Sequence, residues 1–238
     1  ACLNSIFVQV QTDIHIIVVD DGSADGTSET LQTNFPWVTL LKGDGNLWFT
    51  GSVNLGLEYL LSRAGDEDYA LIINNDTVID SNFLANLEKS AETHPDTLIG
   101  AVLLNSEDKQ TILDGGVYYH KLKNKFYSFN CGRKITEFNK GFIQAAELLP
   151  TRGLAIPLRV IREIGVFDAR NFPQAASDYD FTLRAREKGY RLIVDYSCRI
   201  YSENDFGLTP LNTRMSLPQF LRSFSDIKSS YHLRTFLR

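Results

Sequence analysis

The protein has 238 residues, of which 43% are hydrophobic and 22% charged, and its formal net charge is -5. This composition is typical of a globular chain with one substantial core, and it excludes disordered and fibrous classes. No run approaches the roughly 18 consecutive apolar residues of a membrane-spanning helix, and no leader pattern is visible, so we expect a cytoplasmic protein. The three cysteines lack zinc or disulfide spacing, which favours reduced thiols.

Strand-like and helix-like segments alternate over the first hundred residues. Apolar, β-branched runs predict strands at residues 15–19, 37–41, 69–73 and 98–104. Amphipathic spacing and capping residues predict helices at residues 24–33, 51–63 and 81–92. This alternation predicts an α/β fold with a doubly wound, mostly parallel sheet, which binds its ligands at the carboxyl ends of the strands.

The second half of the chain departs from this alternation. Residues 105–147 are rich in aromatic residues and lysines, which predicts a small antiparallel excursion. A short helix is predicted from Pro157 to just before Gly165, since proline favours the first helical position and glycine the position after the end. A second helix is predicted over residues 177–189, and a final strand over 191–195.

Charge divides the chain, because residues 209–238 carry five basic residues against Asp226, a net of +4. The preceding residues contain 19 basic and 28 acidic residues, a net of -9. We therefore expect one acidic domain over residues 1–208 and a basic, amphipathic helical tail over residues 209–238. An acidic body argues against nucleic acid as a partner. The tail suits either peripheral contact with an anionic membrane or packing of its apolar face on the domain.

Acidic side chains follow two of the predicted strands. Asp20 and Asp21 end the first strand, where a carboxylate can accept hydrogen bonds from a ribose hydroxyl or a base, although the same residues are equally typical of a turn. Asp76 ends the run Asn74-Asn75-Asp76 after the third strand. One carboxylate is a sufficient protein anchor for Mg²⁺ or Mn²⁺ when a diphosphate supplies other oxygens. The alternative is that Asp76 only turns the chain towards the next helix.

A third acidic segment, Asp178-Tyr179-Asp180, begins the helix predicted at 177–189. A general base that deprotonates a sugar hydroxyl needs an ionised carboxylate, and a helix N-terminus stabilises negative charge. Aspartate is also among the commonest residues at helix starts. Capping alone would therefore explain this segment if it were not accompanied by the other two.

Taken in order, these segments resemble the family 2 nucleotide-sugar glycosyltransferases, and within them a rhamnosyltransferase-like branch. The resembling stretches of the first half are residues 16–27, 45–56 and 71–77. Residues 152–168 and 177–190 are similar to the acceptor and catalytic-base region of that family. The resemblance spans about residues 2–203. It begins after the first strand of the family, so we expect a further strand before Ala1.

The resemblance implies a GT-A fold and an inverting transfer of sugar from a nucleoside diphosphate donor to a glycan or lipid-linked acceptor, as in cell-surface polysaccharide synthesis. It implies that Asp20 and Asp21 contact the nucleoside. It also implies that Asp76 binds Mg²⁺ or Mn²⁺ at the diphosphate and that Asp178 is the catalytic base. No QxxRW-like segment follows Asp178, which favours addition of a single sugar. The other donor-binding residues that it implies are Asn46, Gly51, Asn54 and Asn75.

Two other functions stay open at this point. The run Asn74-Asn75-Asp76 leaves a single carboxylate for a metal, so an inactive nucleotide-sugar fold that serves as a binding or scaffold module is one alternative. A pyrophosphorylase-like nucleotidyltransferase is the other, although the glycine-rich phosphate loop that it requires is not in the visible sequence. Trp48 also has two interpretations, because a large aromatic residue at this position either stacks on a sugar or packs in the core.

Overall fold

The computed structural model describes residues 1–9, 14–123 and 125–202. The predicted basic tail at 209–238 lies outside the described residues. The described residues divide into two compact units. The smaller unit consists of residues 14–64 and 166–180, and the larger unit contains the rest.

Helices and strands alternate along most of the chain. The helices are α1 (Cys2–Phe7), α2 (Thr27–Asn34), α3 (Trp48–Leu61), α4 (Phe83–Thr93), α5 (Leu158–Ile164) and α6 (Ser177–Glu187). The strands are β1 (Ile17–Asp20), β2 (Thr39–Lys42), β3 (Tyr69–Ile72), β4 (Val78–Ile79), β5 (Thr97–Asn105), β6 (Ile112–Asp114), β7 (Val117–His120), β8 (Lys125–Ser128), β9 (Ile143–Ala145), β10 (Leu154–Pro157) and β11 (Arg191–Ser202). The predicted elements before residue 105 are all present, with bounds that differ by three residues or fewer. None of the described helices is long and apolar enough to cross a membrane.

The sheet of the larger unit has the strand order β3-β10-β5-β11-β4, with β6 paired to β5 and β9 to β11. Its longest strands, β5 and β11, are parallel, and their register runs from Thr97 opposite Arg191 to Asn105 opposite Ser202. β3 runs in the same direction as β5 because β10 is antiparallel to both. Every residue of β5 is buried, as expected for a strand that is covered on both faces. The predicted α/β class is confirmed.

β10 is a strand that the sequence pattern did not predict. Residues 154–156 are completely buried and pair antiparallel with residues 70–72 of β3. So short an apolar run directly before a helix is not distinguishable from loop or helix by its periodicity. Pro157 ends the strand, and α5 begins at the next residue, one position later than predicted.

The predicted antiparallel excursion is confirmed between β5 and β10. β7 and β8 form a hairpin in which Tyr118 lies opposite Tyr127 and Tyr119 lies opposite Phe126. The ring centroids of these two pairs are 5.6 and 5.1 Å apart. Cross-strand aromatic pairs of this kind stabilise a hairpin, which accounts for the aromatic composition of this segment.

The smaller unit is built on the parallel strands β1 and β2. Helix α3 lies close to β1, since a Cβ added to Gly56 would be 3.6 Å from Cγ2 of Val19. Leu57 of α3 and Leu31 of α2 are buried and supply apolar core. Asp20 is the last residue of β1, Asp21 follows it, and Asn46 lies in the loop after β2.

Candidate active site

Asp21 follows β1, and its carboxylate holds the loop between β2 and α3. Its Oδ1 accepts a hydrogen bond from the amide of Gly45 at 2.8 Å, and its Oδ2 accepts from the amides of Leu47 and Trp48 at 2.9 and 3.1 Å. Gly43 allows this approach, because a Cβ there would clash with the carboxylate and lie 3.1 Å from Cα of Asp21. Both oxygens of Asp21 are therefore engaged with backbone of the smaller unit.

Asp20 is buried at the end of β1, and its carboxylate is also hydrogen-bonded. Its Oδ1 accepts from the amide of Ser23 at 2.9 Å, and its Oδ2 accepts from the hydroxyl of Ser28 at 2.5 Å. These hydrogen bonds, with Ser23 contributing most, lower the pKa of Asp20 below its ordinary value. A shallow cavity of about 190 Å³ lies beside Asp20 and is also lined by Lys42 and Glu29. The cavity has room for a small polar group beside an ionised carboxylate.

The first turn of α3 is bonded to the segment that leads to Asp178. The amide of Phe49 donates to Oε1 of Gln174 at 3.1 Å, and the amide of Thr50 donates to the carbonyl of Pro173 at 2.9 Å. The hydroxyl of Thr50 donates to the carbonyl of Phe172 at 2.6 Å. Backbone N–H groups of this helix start thus already have acceptors in the smaller unit, which leaves no open cradle for an anion there.

The remaining predicted residues of the smaller unit also have local contacts. Asn54 donates from Nδ2 to the carbonyl of Phe167 at 2.8 Å and accepts at Oδ1 from the amide of Phe167 at 3.0 Å, so it holds that loop at two points. Asn46 is exposed, and its backbone amide donates to Oδ1 of Asp44 at 2.9 Å. Gly51 lies in α3, where a Cβ would be 3.1 Å from Cβ of Leu47. Within this unit, Asn46 is therefore the most accessible of the three.

Asp178 lies in the first turn of α6 and is partly buried. Its Oδ1 accepts a hydrogen bond from the amide of Tyr179 at 2.9 Å. The helix is preceded by Ala176, whose φ of 64° is in the left-handed region. That region costs a residue with a Cβ roughly 1–2 kcal/mol, and such strain concentrates at functional sites. Ala176 is thus a feature of this site that the sequence did not reveal.

The larger unit carries the predicted metal-binding residue Asp76 and the predicted donor-binding residue Asn75 on the turn after β3. The carbonyl of Asn74 accepts from the amide of Thr77 at 3.2 Å and from its hydroxyl at 2.7 Å, which closes the turn. Thr77 is buried, whereas Asn75 and Asp76 are exposed. Oδ2 of Asp76 lies 3.7 Å from Nη2 of Arg152, and this ion pair was not predicted. The predicted residues are thus found in two groups, one in each unit.

Comparison with known proteins identifies the chain. The family model described as Glycosyl transferase family 2 matches residues 1–143, which is more than half of the sequence. The chain belongs to glycosyl transferase family 2. The matched region includes the ends of β1 and β3 with their acidic residues, and it stops before Asp178. None of the curated proteins compared with this family 2 chain matches it.

Solved structures share the fold of this family 2 protein. GalNAc-T7 with UDP, GalNAc and Mn²⁺ is similar with a TM-score of 0.63 and 11% identity, over 88% of this chain and 42% of that one. TarS of S. aureus is similar with a TM-score of 0.56 and 17% identity, over 85% and 55%. The mannosyltransferase PcManGT from Pyrobaculum calidifontis, in complex with GDP-Man and Mn²⁺, gives 0.58 and 16%, over 84% and 51%. The predicted GT-A fold is confirmed, and the chain spans about half the length of these structures.

The turn after β3 in this family 2 protein fits a hard divalent cation. Oδ1 of Asn74 is buried and accepts no hydrogen bond from the described residues, and Asp76 offers an exposed carboxylate two positions later. Mg²⁺ and Mn²⁺ take oxygen ligands and are commonly bound by one or two protein groups together with substrate phosphates. The described parts of the chain contain no group of three or more His, Cys, Asp or Glu residues able to hold a metal ion. The side chains of Asn74 and Asp76 at this turn thus offer oxygen atoms of the kind that such an ion takes.

Proposed function

We propose that this protein transfers a single sugar, with inversion, from a nucleoside diphosphate sugar to a hydroxyl of a glycan or lipid-linked acceptor in cell-surface polysaccharide synthesis. The observation that carries the proposal is the family 2 match over residues 1–143, which contains both acidic strand ends. Donors of this class accompany similar structures, since TarS was crystallised with UDP-GlcNAc and PcManGT with GDP-Man. The proposed place of work is the cytoplasmic face of the membrane, where the basic segment 209–238 would contact anionic lipid.

Asp178 is the proposed catalytic base. Its carboxylate accepts the proton of the acceptor hydroxyl while that oxygen forms a bond to the anomeric carbon, and the bond from this carbon to the diphosphate oxygen breaks on the opposite face. The products are the glycosylated acceptor and the free nucleoside diphosphate. Its position in the first turn of α6, where the helix dipole favours an anion, supports this role.

The donor is proposed to bind along the strand ends. Asp20 faces the small cavity beside β1 and is the proposed contact for the nucleoside. The exposed Asn46 lies in the loop after β2, which begins at Gly43 in the lining of this cavity. Asp21 and Asn54 are proposed to act through the backbone that they hold in place, and Gly51 through the space that it leaves beside Leu47. Asn75 and Asp76 lie on the exposed turn after β3, where they are proposed to face the diphosphate.

Asp76 and Oδ1 of Asn74 would hold the Mg²⁺ or Mn²⁺ that this function requires. Such an ion supplies positive charge to the departing diphosphate when it is bound. Support comes from GalNAc-T7 and PcManGT, which were both crystallised with Mn²⁺. Two hydrogen bonds from Thr77 to the carbonyl of Asn74 fix the turn. The fixed turn orients the side-chain oxygens of Asn74, Asn75 and Asp76.

Donor hydrolysis and sugar transfer test the role of Asp178. We expect Asp178→Asn to lower kcat by about 10²- to 10⁴-fold, the usual contribution of a general base. Asp180→Asn removes the same charge from the same helical turn, and we expect it to retain activity within several-fold. An equal loss in the two variants, or an unchanged rate in Asp178→Asn, would contradict the assignment.

A second candidate is a binding or scaffold module without catalysis. It is favoured by the sparse metal ligands, since Asp76 is the single carboxylate of the run Asn74-Asn75-Asp76 on the turn after β3. Calorimetric titration with UDP and dTDP, with and without Mn²⁺, separates the two functions. A transferase should bind a nucleotide more tightly with the metal, and a scaffold need not.

A further inference from the structure

Arg152 forms an ion pair with Asp76, the predicted metal-binding carboxylate. Its Nη2 lies 3.7 Å from Oδ2 of Asp76. The Arg152 side chain is 17% exposed, whereas the Asp76 side chain is 52% exposed. A mostly buried guanidinium thus ends beside an accessible carboxylate at the turn after β3.

The fold places Arg152 at this turn through the pairing of β10 with β3. Leu154 lies opposite Ile72 in this antiparallel ladder, and the amide of Gly153 donates to the carbonyl of Ile72 at 3.0 Å. Continuing the register brings position 152 alongside the residues that follow β3. Gly153 has a φ of +76°, and a Cβ there would be 2.7 Å from Cβ of Ala101, so the bend before β10 requires glycine. The backbone position of Arg152 is therefore fixed by strand pairing and core packing.

The ion pair itself is weak and can be exchanged. Its atoms are 3.7 Å apart, which is longer than a charge-assisted hydrogen bond, and one partner is half exposed to water. A diphosphate carries more negative charge than a carboxylate, and its oxygens match the fork of a guanidinium. A phosphorylated ligand at this turn would thus compete successfully with Asp76 for Arg152.

We propose that Arg152 is a diphosphate-binding residue that Asp76 holds in place until the donor arrives. This inference rests on the proposed function, because it takes the ligand to be a nucleoside diphosphate. When the ligand binds, the guanidinium turns from Asp76 to the diphosphate oxygens, and the carboxylate of Asp76 becomes available to a divalent cation. One exchange of partners therefore gives the diphosphate the positive charge of Arg152 and frees the carboxylate of Asp76 for a divalent cation.

The first test measures the affinity of the protein for UDP, GDP and dTDP by calorimetry in the presence of Mn²⁺. With the nucleotide that wild type binds best, we expect Arg152→Gln to weaken binding by about 10- to 100-fold, since hydrogen bonds between charged groups are lost. The affinity of Arg152→Lys should fall between those of wild type and Arg152→Gln, because lysine keeps the charge and lacks the forked guanidinium. Arg162→Gln is the matched control, since it removes the same charge from an ion pair with Asp66 in the larger unit, and it should bind like wild type.

The second test asks whether Arg152 exchanges Asp76 for the ligand or whether the Asp76–Arg152 ion pair only stabilises the fold. Without metal, in EDTA, we expect Asp76→Asn to bind the same nucleotide several-fold more tightly than wild type, because the carboxylate of Asp76 no longer competes with the ligand for Arg152 and no longer repels it. The double variant Asp76→Asn, Arg152→Gln should lose this gain. Thermal unfolding of each variant checks that the fold is kept.

The outcomes distinguish this inference from the function on which it rests. If wild type binds none of the three nucleotides, both the proposed function and the role of Arg152 are wrong. If wild type binds one of them and Arg152→Gln binds it equally well, only the role of Arg152 is wrong. Asp76→Asn without any gain in EDTA would likewise overturn the exchange and leave the function standing.

Discussion

Asp21 and Asp76 each come shortly after a strand, β1 in the smaller unit and β3 in the larger unit, but their carboxylates are engaged very differently. Asp21 accepts hydrogen bonds from the backbone of Gly45, Leu47 and Trp48. Asp76 is half exposed and has a long ion pair with Arg152. An aspartate after a strand can therefore either build a loop or remain available to a ligand. The difference depends on which backbone amides the fold brings to it.

Replacement of Asp21 should have the largest effect on stability. Asp21→Ala leaves three backbone N–H groups without their acceptor, so we expect the free energy of unfolding to fall by about 2–4 kcal/mol. Asp76→Ala removes only a half-exposed ion pair, and we expect less than about 1 kcal/mol. Urea denaturation of the two variants measures the contrast. Equal losses would show that the carboxylates are not used differently.

Replacement of Asp20 should give a smaller, pH-dependent loss. Its pKa is lower in the folded protein than in the unfolded chain, so it contributes stability above its unfolded pKa that is lost as the pH falls through its folded pKa. Asp20→Asn should therefore be less stable than wild type at pH 7, by about 1–2 kcal/mol. The difference should narrow below about pH 4, where wild type begins to lose this contribution.

Denaturation midpoints at pH 7 and at acidic pH measure this narrowing. Ser28→Ala is the matched variant, because it keeps the carboxylate and removes one of its donors. Ser28→Ala should lose part of the stability that Asp20→Asn loses at pH 7, and its stability difference from wild type should also shrink in part at acidic pH. A gap between Asp20→Asn and wild type that stays constant with pH would contradict the lowered pKa.

Local patterns were enough to predict the alternating elements and the acidic strand ends, because a strand or helix of the first hundred residues is encoded within its own segment. Contacts between distant segments were not predictable. α3 begins at Trp48 instead of Gly51 because Asp21 and Gln174 supply acceptors to its first amides. Arg152 reaches Asp76 only because residues 154–157 form a strand beside β3, and four residues carry too little periodicity to reveal it.

Replacement of Ala176 in the smaller unit should have the smallest effect on stability and should separate stability from activity. Glycine tolerates the left-handed conformation of this residue, so Ala176→Gly relieves strain while it adds freedom to the unfolded chain, and we expect a net stabilisation of about 0.5 kcal/mol. The same freedom loosens the start of α6, so the rate of sugar transfer should fall several-fold as Asp178 becomes less well oriented.

Lys109→Gly is the matched control, because Lys109 has a similar φ of 54° in the larger unit and no role in the proposed site. Its gain in stability should be similar or smaller, because the variant also removes the contact of Lys109 Nζ with the Tyr201 ring at 5.7 Å, and its rate of sugar transfer should be unchanged. A lower stability of Ala176→Gly would mean that Ala176 is not strained. An unchanged rate in that variant would mean that the left-handed residue only joins a loop to a helix, and that α6 orients Asp178 without it.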